Sequence, residues 1–180
     1  MGVVMKRSCL FILTIAFLTV YPLGVWAAGG KVLVVHSYHE MFDWVKEVNT
    51  SLRSVLDPAG VGYQFFYLDT KRKPTEAQIK AAALQARHLL SEYRPGVVIA
   101  VDDNAQAYFA KDYINKRGIQ IVFCGVNADP QKYGYPAANA TGILERSYPI
   151  QTLHVLKVLL PDIGKVVVVS DAAMEKTFDF

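Results

Sequence analysis

VVIAVDDNA, residues 97–105, decides the fold: an unbroken apolar run stops abruptly at two carboxylates and an amide. A run this short, preceded by Gly96, reads as a strand buried on both faces, the habit of parallel sheets covered by helices on each side. Two other runs share the design. Val32–Val35 leads into His36-Ser37-Tyr38-His39, and Ile121–Phe123 leads into Cys124-Gly125-Val126-Asn127. As parallel strands of one sheet, all three put their polar ends on its carboxyl edge, where open α/β sheets bind their ligands.

Outward from these runs, strand and helix patterns alternate. Lys31–Ser37 is the first strand, and Asp43 is placed to cap a helix whose Trp44, Val48, Leu52 and Val55 form one stripe. Pro58-Ala59-Gly60 ends that helix, and Gly62–Leu68, aromatic and β-branched, is a second strand. Thr75 with Gln78 spells a capping box for a helix reaching about Tyr93. Gly96–Val101 is the third strand, and Asp103 or Asn104 caps a helix that runs through Tyr108, Phe109 and Ile114 to Gly118. Ile119–Cys124 is the fourth strand, 128–140 a long loop over the sheet edge, and Thr141–Leu144 a short fifth strand. A last helix spans Pro149 to Leu160, before a valine-rich run, Lys165–Ser170. Connections of this length imply right-handed βαβ crossovers and a doubly wound, mostly parallel α/β sheet. The predicted strand order is 2-1-3-4-5.

The first 28 residues are set apart as a signal peptide: Lys6 and Arg7, then an apolar stretch Cys9–Trp26, then Val25-Trp26-Ala27 before the cleavage point. The rival reading is a retained anchor, because the stretch is nearly long enough to span a bilayer. Cys9 follows charged residues rather than an apolar run, which argues against a lipoprotein signal. Removing Lys6 and Arg7 reduces 19 basic residues to 17, against 16 acidic ones, so the charge carries no footprint for nucleic acid. Cys124 is then a lone thiol, read as a small strand-end residue rather than a nucleophile. The domain reading is 29–162 as one amino-terminal α/β binding lobe and 163–180 as the first strand of a truncated second lobe, which is largely absent. The bland alternative adds Lys165–Ser170 to the first sheet as a sixth strand.

Ser37, Tyr38, Asp103, Asn104 and Asn127 offer donors and acceptors to a small polar ligand but no nucleophile paired with a base. Ser37 lacks the Gly-x-Ser-x-Gly elbow of a hydrolase, and capping alone would equally explain Asp103 and Asn104. Tyr38, Phe42 and Trp44 follow the first strand, and Tyr133 and Tyr135 lie in the long loop, where rings in a cleft stack on flat groups. For Trp44 a core role at the start of its helix competes with ligand contact. His36, His39, Asp102 and Asp103 match no metal spacing, and no cofactor motif is present. Lys71-Arg72-Lys73 reads as a solvated loop or an attraction for an anion. The triplets at Asn49 and Asn139 are glycosylation acceptors only in a host that glycosylates.

The stretches VLVVHSYHEMFDW, FFYLDTKRKPT, VIAVDDNAQAYFA, IVFCGVNADP and TGILERSYPIQTLHVLKVLLPDIGKVVVVSD together resemble the amino-terminal lobe of ABC-transporter substrate-binding proteins with the type I periplasmic-binding fold. Similar domains serve as extracytoplasmic sensors of signalling proteins. The resemblance implies a periplasmic, non-enzymatic clamshell that closes on a small molecule and is read by an ABC permease in the inner membrane. It maps ligand contacts to Ser37, Tyr38, Asp103, Asn104, Asn127 and Glu145, with Trp44 in the aromatic cluster. An enzyme using Ser37 or Cys124 is the rival from another class.

Overall fold

The computed structural model describes residues 30–167. The signal reading and the second half of the last valine run, 168–170, fall outside these residues. Lys165–Val167 are described without strand pairing.

Five parallel strands form the sheet: β1 (Lys31–His36), β2 (Gly62–Tyr67), β3 (Val97–Val101), β4 (Gln120–Val126) and β5 (Ala140–Leu144), in the order β2-β1-β3-β4-β5. This is the predicted order. It follows because β1, β3 and β4 carry the most continuous apolar runs and need a neighbour on each edge and a helix on each face.

Helix α1 (Asp43–Leu56) covers one face, and α2 (Glu76–Tyr93) with the short α3 (Asp103–Tyr108) covers the other. On the α1 face Val32, Val34, Ile99 and Val101 meet Trp44, Val48 and Leu52. On the opposite face Leu33, Val35, Val98 and Ala100 meet Ala83 and Ala86 of α2 and Ala105 of α3. Alternate strand residues feed opposite layers, so both faces of the central strands leave water. The capping box is formed: the Thr75 side chain accepts from the Gln78 amide, and the Gln78 side chain returns to the Thr75 backbone. No helix among the described residues is long and apolar enough to cross a membrane.

Three local expectations give way to packing. Asp43 lies inside the first turn of α1, where it pairs with Lys46, and Phe42 takes the cap position without a side-chain bond. The helix expected to reach Gly118 stops at Tyr108, continues as a single 3-10 turn (Ala110–Tyr113), and then turns at Asn115 with φ 59°. Asn139 explains the break. Its buried amide donates to the carbonyls of Tyr113, Lys116 and Ile119, and its oxygen accepts from the Asn115 amide. These bonds stand in for the helical ladder. The loop at 128–140 contains a 3-10 turn (Pro130–Tyr133), and its two tyrosines are core residues rather than surface stackers: Tyr135 lies 4.3 Å from the Phe123 ring, and both rings are buried.

The last helix, α4 (Pro149–Leu159), buries none of its residues although Ile150, Val155, Val158 and Leu159 are apolar.

At Gly142 on β5 an added Cβ would collide with the Phe123 carbonyl oxygen and ring. Gly142→Ala is therefore expected to cost roughly 1–3 kcal/mol by forcing β4 and β5 apart. Urea unfolding measures this, and an unchanged midpoint would mean that the two strands do not approach so closely.

Candidate functional site

The strand ends converge as the sequence pattern requires. Ser37 follows β1, and its amide donates to the Val101 carbonyl at the end of β3; Asp102 follows β3, and its amide donates to Cys124 on β4. Thr70, beyond β2, donates from both its amide and its hydroxyl to the Ser37 carbonyl, and the Glu145 amide donates to Val126. Residues from five strands thereby share one rim.

Ser37 is fully buried, and its hydroxyl is used in both directions: it donates to the Val101 carbonyl at 3.0 Å and accepts the Ala105 amide at 2.8 Å. It fixes the rim from beneath. Tyr38 stands half-buried above it, with its hydroxyl donating to Asp102 at 2.8 Å and its ring edge-on to Phe42 and Trp44. Lys71 lies over the Tyr38 and Phe42 rings, 4.8 and 5.2 Å from their centres, while its neighbour Arg72 forms a two-pronged pair with Asp69. The basic triplet thus divides into one residue at the rim and two, Arg72 and Lys73, paired with the buried Asp69 carboxylate.

Asp103 is not a helix cap. Its two oxygens accept the Asn127 amide at 3.1 Å, the Ala128 amide at 3.2 Å and the Tyr133 hydroxyl at 2.8 Å, so it ties the start of α3 to the loop after β4. Asp102 holds the cap position instead, without a side-chain cap bond. Asn104 donates to the Thr70 hydroxyl at 3.0 Å. Asn127 donates to the Glu145 carbonyl, and Arg146 donates to that of Asn127. The Glu145 side chain is exposed at the far edge. Trp44 lies over Gly125, where φ is 68° and an added Cβ would meet the indole at 2.8 Å. That close approach gives Trp44 its position between the α1 core and the rim.

Asp102 is the residue that sequence reasoning left out of the binding set. Its backbone sits at φ 71° and ψ 166°, a region that a side chain enters at a cost of order 1–3 kcal/mol, and such residues concentrate at functional sites. Burial raises its carboxyl from 3.8 to about 6, the Tyr38 hydroxyl pulling it back and the Asp103 charge pushing it further up. The signal available in the sequence was its place directly after the strand, one residue before the two that were chosen.

His36 is buried beneath α1, with Nε2 on the Asn49 amide oxygen and its ring stacked on Tyr67, and burial lowers it to about 4. It is neutral near pH 7 and belongs to the core. Cys124 is half-buried, and burial raises its thiol, with Asp102 and Glu145 adding to the effect. Among the described residues no three His, Cys, Asp or Glu side chains gather as metal ligands. A separate open groove of about 550 Å³ lies between α2 and α3 and touches the rim only at Asn104. Its Lys80–Glu76 and Arg87–Asp112 ion pairs mark a solvated face.

No protein-family model matches this chain, and no curated protein matches it. Among solved structures, it is similar to that of the ABC domain in complex with L-Trp from Streptococcus pneumonia, with a TM-score of 0.56 and 13% identity. The match covers 74% of this chain and 44% of that one, so the chain spans less than half the length of this structural neighbour. At that identity the likeness shows the fold alone: a five-stranded parallel α/β sheet in the order β2-β1-β3-β4-β5, with helices on both faces.

Two buried groups give opposite pH dependences. The folded protein holds the Asp102 proton more tightly than the unfolded chain, so its contribution to stability is complete below pH 3.8 and lost as the pH rises to about 6. His36 acts in reverse, its contribution being complete above 6.5 and lost as the pH falls to about 4. Asp102→Asn isolates the first effect. Relative to wild type, the variant should gain up to about 3 kcal/mol of stability between pH 4 and pH 7, because each tenfold difference in proton affinity between the folded and unfolded chains is worth roughly 1.4 kcal/mol. Parallel pH profiles for the two proteins would show that Asp102 is not desolvated.

Proposed function

We propose that this chain is the amino-terminal lobe of a periplasmic solute-binding protein that captures a small molecule for an ABC permease of the inner membrane. The observation that carries the reading is the convergence of Tyr38, Asp102, Asn104 and Asn127, from the ends of three different strands, on one rim backed by aromatic rings. A few fixed polar groups beside apolar walls are what a small-solute site requires. The parallel order 2-1-3-4-5 supports the same reading, because it places the switch point between β1 and β3, directly beneath Tyr38 and Asp102.

The uncovered apolar residues of α4 are consistent with a second lobe that packs there and closes over the rim, as a clamshell does on its ligand. The export signal read in residues 1–28 supplies the periplasmic location. The chemistry is binding rather than catalysis: the Ser37 hydroxyl is committed to two backbone partners, and the Cys124 thiol is held protonated.

Ligand-observed NMR against a panel of small polar and aromatic solutes tests this. Binders are expected whose affinity falls by about tenfold or more in Tyr38→Ala and in Asn104→Ala, a loss of at least roughly 1.4 kcal/mol, with the circular dichroism spectrum unchanged. Binders indifferent to both changes would place the site elsewhere, and a panel without any binder would remove the reading.

A further inference from the structure

We propose that a second docking surface lies at the amino edge of the sheet, opposite the rim, and that it takes an acidic peptide segment carrying an apolar side chain.

An open groove of about 380 Å³ lies there, between the end of α2 and the turn that leads into β4. The strand starts set its place in the fold: the Gly96 amide donates to Lys31 at the head of β1, and the Gln120 amide at the head of β4 donates to Gly96. Two left-handed residues shape its mouth. Arg94 ends α2 at φ 52°, and Gly118 turns the chain into β4 at φ 84°. Glycine is the usual residue at a helix end of this geometry, because a side chain is strained there. The arginine brings a charge to the groove instead. Lys116 and Arg117 bring two more, and no acidic residue lines it.

The protein does not neutralise these three cations. Among the described residues no carboxylate pairs with Arg94, Lys116 or Arg117. The acids nearest to them in sequence, Glu92 and Asp112, face His88 and Arg87. The negative end of the α2 dipole does not account for the cluster either, since Lys31 already serves it by donating to the Tyr93 carbonyl. The groove between α2 and α3 gives the contrast: its Lys80 and Arg87 are paired with Glu76 and Asp112, so it has no comparable excess of charge.

The floor distinguishes one anionic partner from another. Leu90, which packs against the core, and the buried Pro95 and Ile119 line the groove beneath the three exposed cations. A concave apolar floor suits an inserted side chain, with flanking carboxylates pairing at the mouth. A flat membrane surface would leave that floor empty. Each exposed pair is weak alone, so affinity comes from several pairs acting with the apolar contact. None of this depends on solute binding at the rim.

A blocked peptide, Glu-Glu-Leu-Glu-Glu, and its counterpart with glutamine for every glutamate test the proposal in amide NMR titrations of the full chain. The acidic peptide is expected to give saturable shifts at Leu90, Arg94, Arg117 and Gly118 that weaken as salt is raised, with Tyr38 and Asn104 unmoved. Arg117→Glu and, separately, Lys116→Gln should weaken binding by about threefold or more. Lys111→Glu, which changes net charge as much as Arg117→Glu but lies outside this groove, should leave it unchanged. All three altered residues are exposed, and circular dichroism checks that each variant folds. Absence of shifts with the acidic peptide, equal affinity for the glutamine peptide, or unchanged affinity in Arg117→Glu would overturn the proposal. So would adsorption to phosphatidylglycerol vesicles that Arg117→Glu abolishes while the acidic peptide gives no shifts, because the surface would then be a membrane contact.

Discussion

One buried serine hydroxyl sets the geometry on which the rest depends. By donating to the end of β3 and accepting the Ala105 amide in the first turn of α3, Ser37 joins the two central strands at their carboxyl ends and aims the following helix. Everything at the rim is placed relative to that junction. Tyr38 projects next to it and reaches Asp102, while Asp103 turns the other way to hold the loop after β4. An alanine at Ser37 would leave the buried Ala105 amide without its partner, worth roughly 1–3 kcal/mol when unsatisfied, while the Val101 carbonyl would keep the Ser37 amide. The serine therefore contributes to the site by organising it from below, whether or not it touches the ligand.

The architecture was legible because its cause is periodic. Valine-rich runs needing cover on both faces, helices with one apolar stripe, and a Thr-x-x-Gln box each dictate an element locally, and the strand order follows from which runs must be central. What the sequence concealed is the work of long-range side-chain bonds. Asn49 and Asn139 look like surface acceptors for sugar, yet both are buried: one bridges His36 to Tyr67, and the other replaces the hydrogen bonds of a broken helix. Tyr133 and Tyr135 read as loop aromatics, but their hydroxyls are taken by Asp103 and Gln106, and their rings fill the space beside Phe123. The candidate site shows the same division. Position on the rim was readable for Tyr38, Asn104 and Asn127, whereas the exchange of roles between Asp102 and Asp103 depends on which backbone amides lie across the loop.

The rim combines groups of different freedom. Ser37 and Asp103 are fully committed and rigid; Asn104 and Asn127 each use a donor on the protein itself; Tyr38 and Trp44 present ring surface. A second lobe closing on such a surface would add the contacts that one lobe alone cannot provide.

The central claim is that loops after separate strands act as one binding surface. Backbone amide NMR during titration with any solute that binds tests it most directly. The account predicts that Tyr38, Asn104, Asn127 and Glu145 shift together along curves described by a single dissociation constant. Shifts confined to one loop, or different constants for different strand ends, would contradict it.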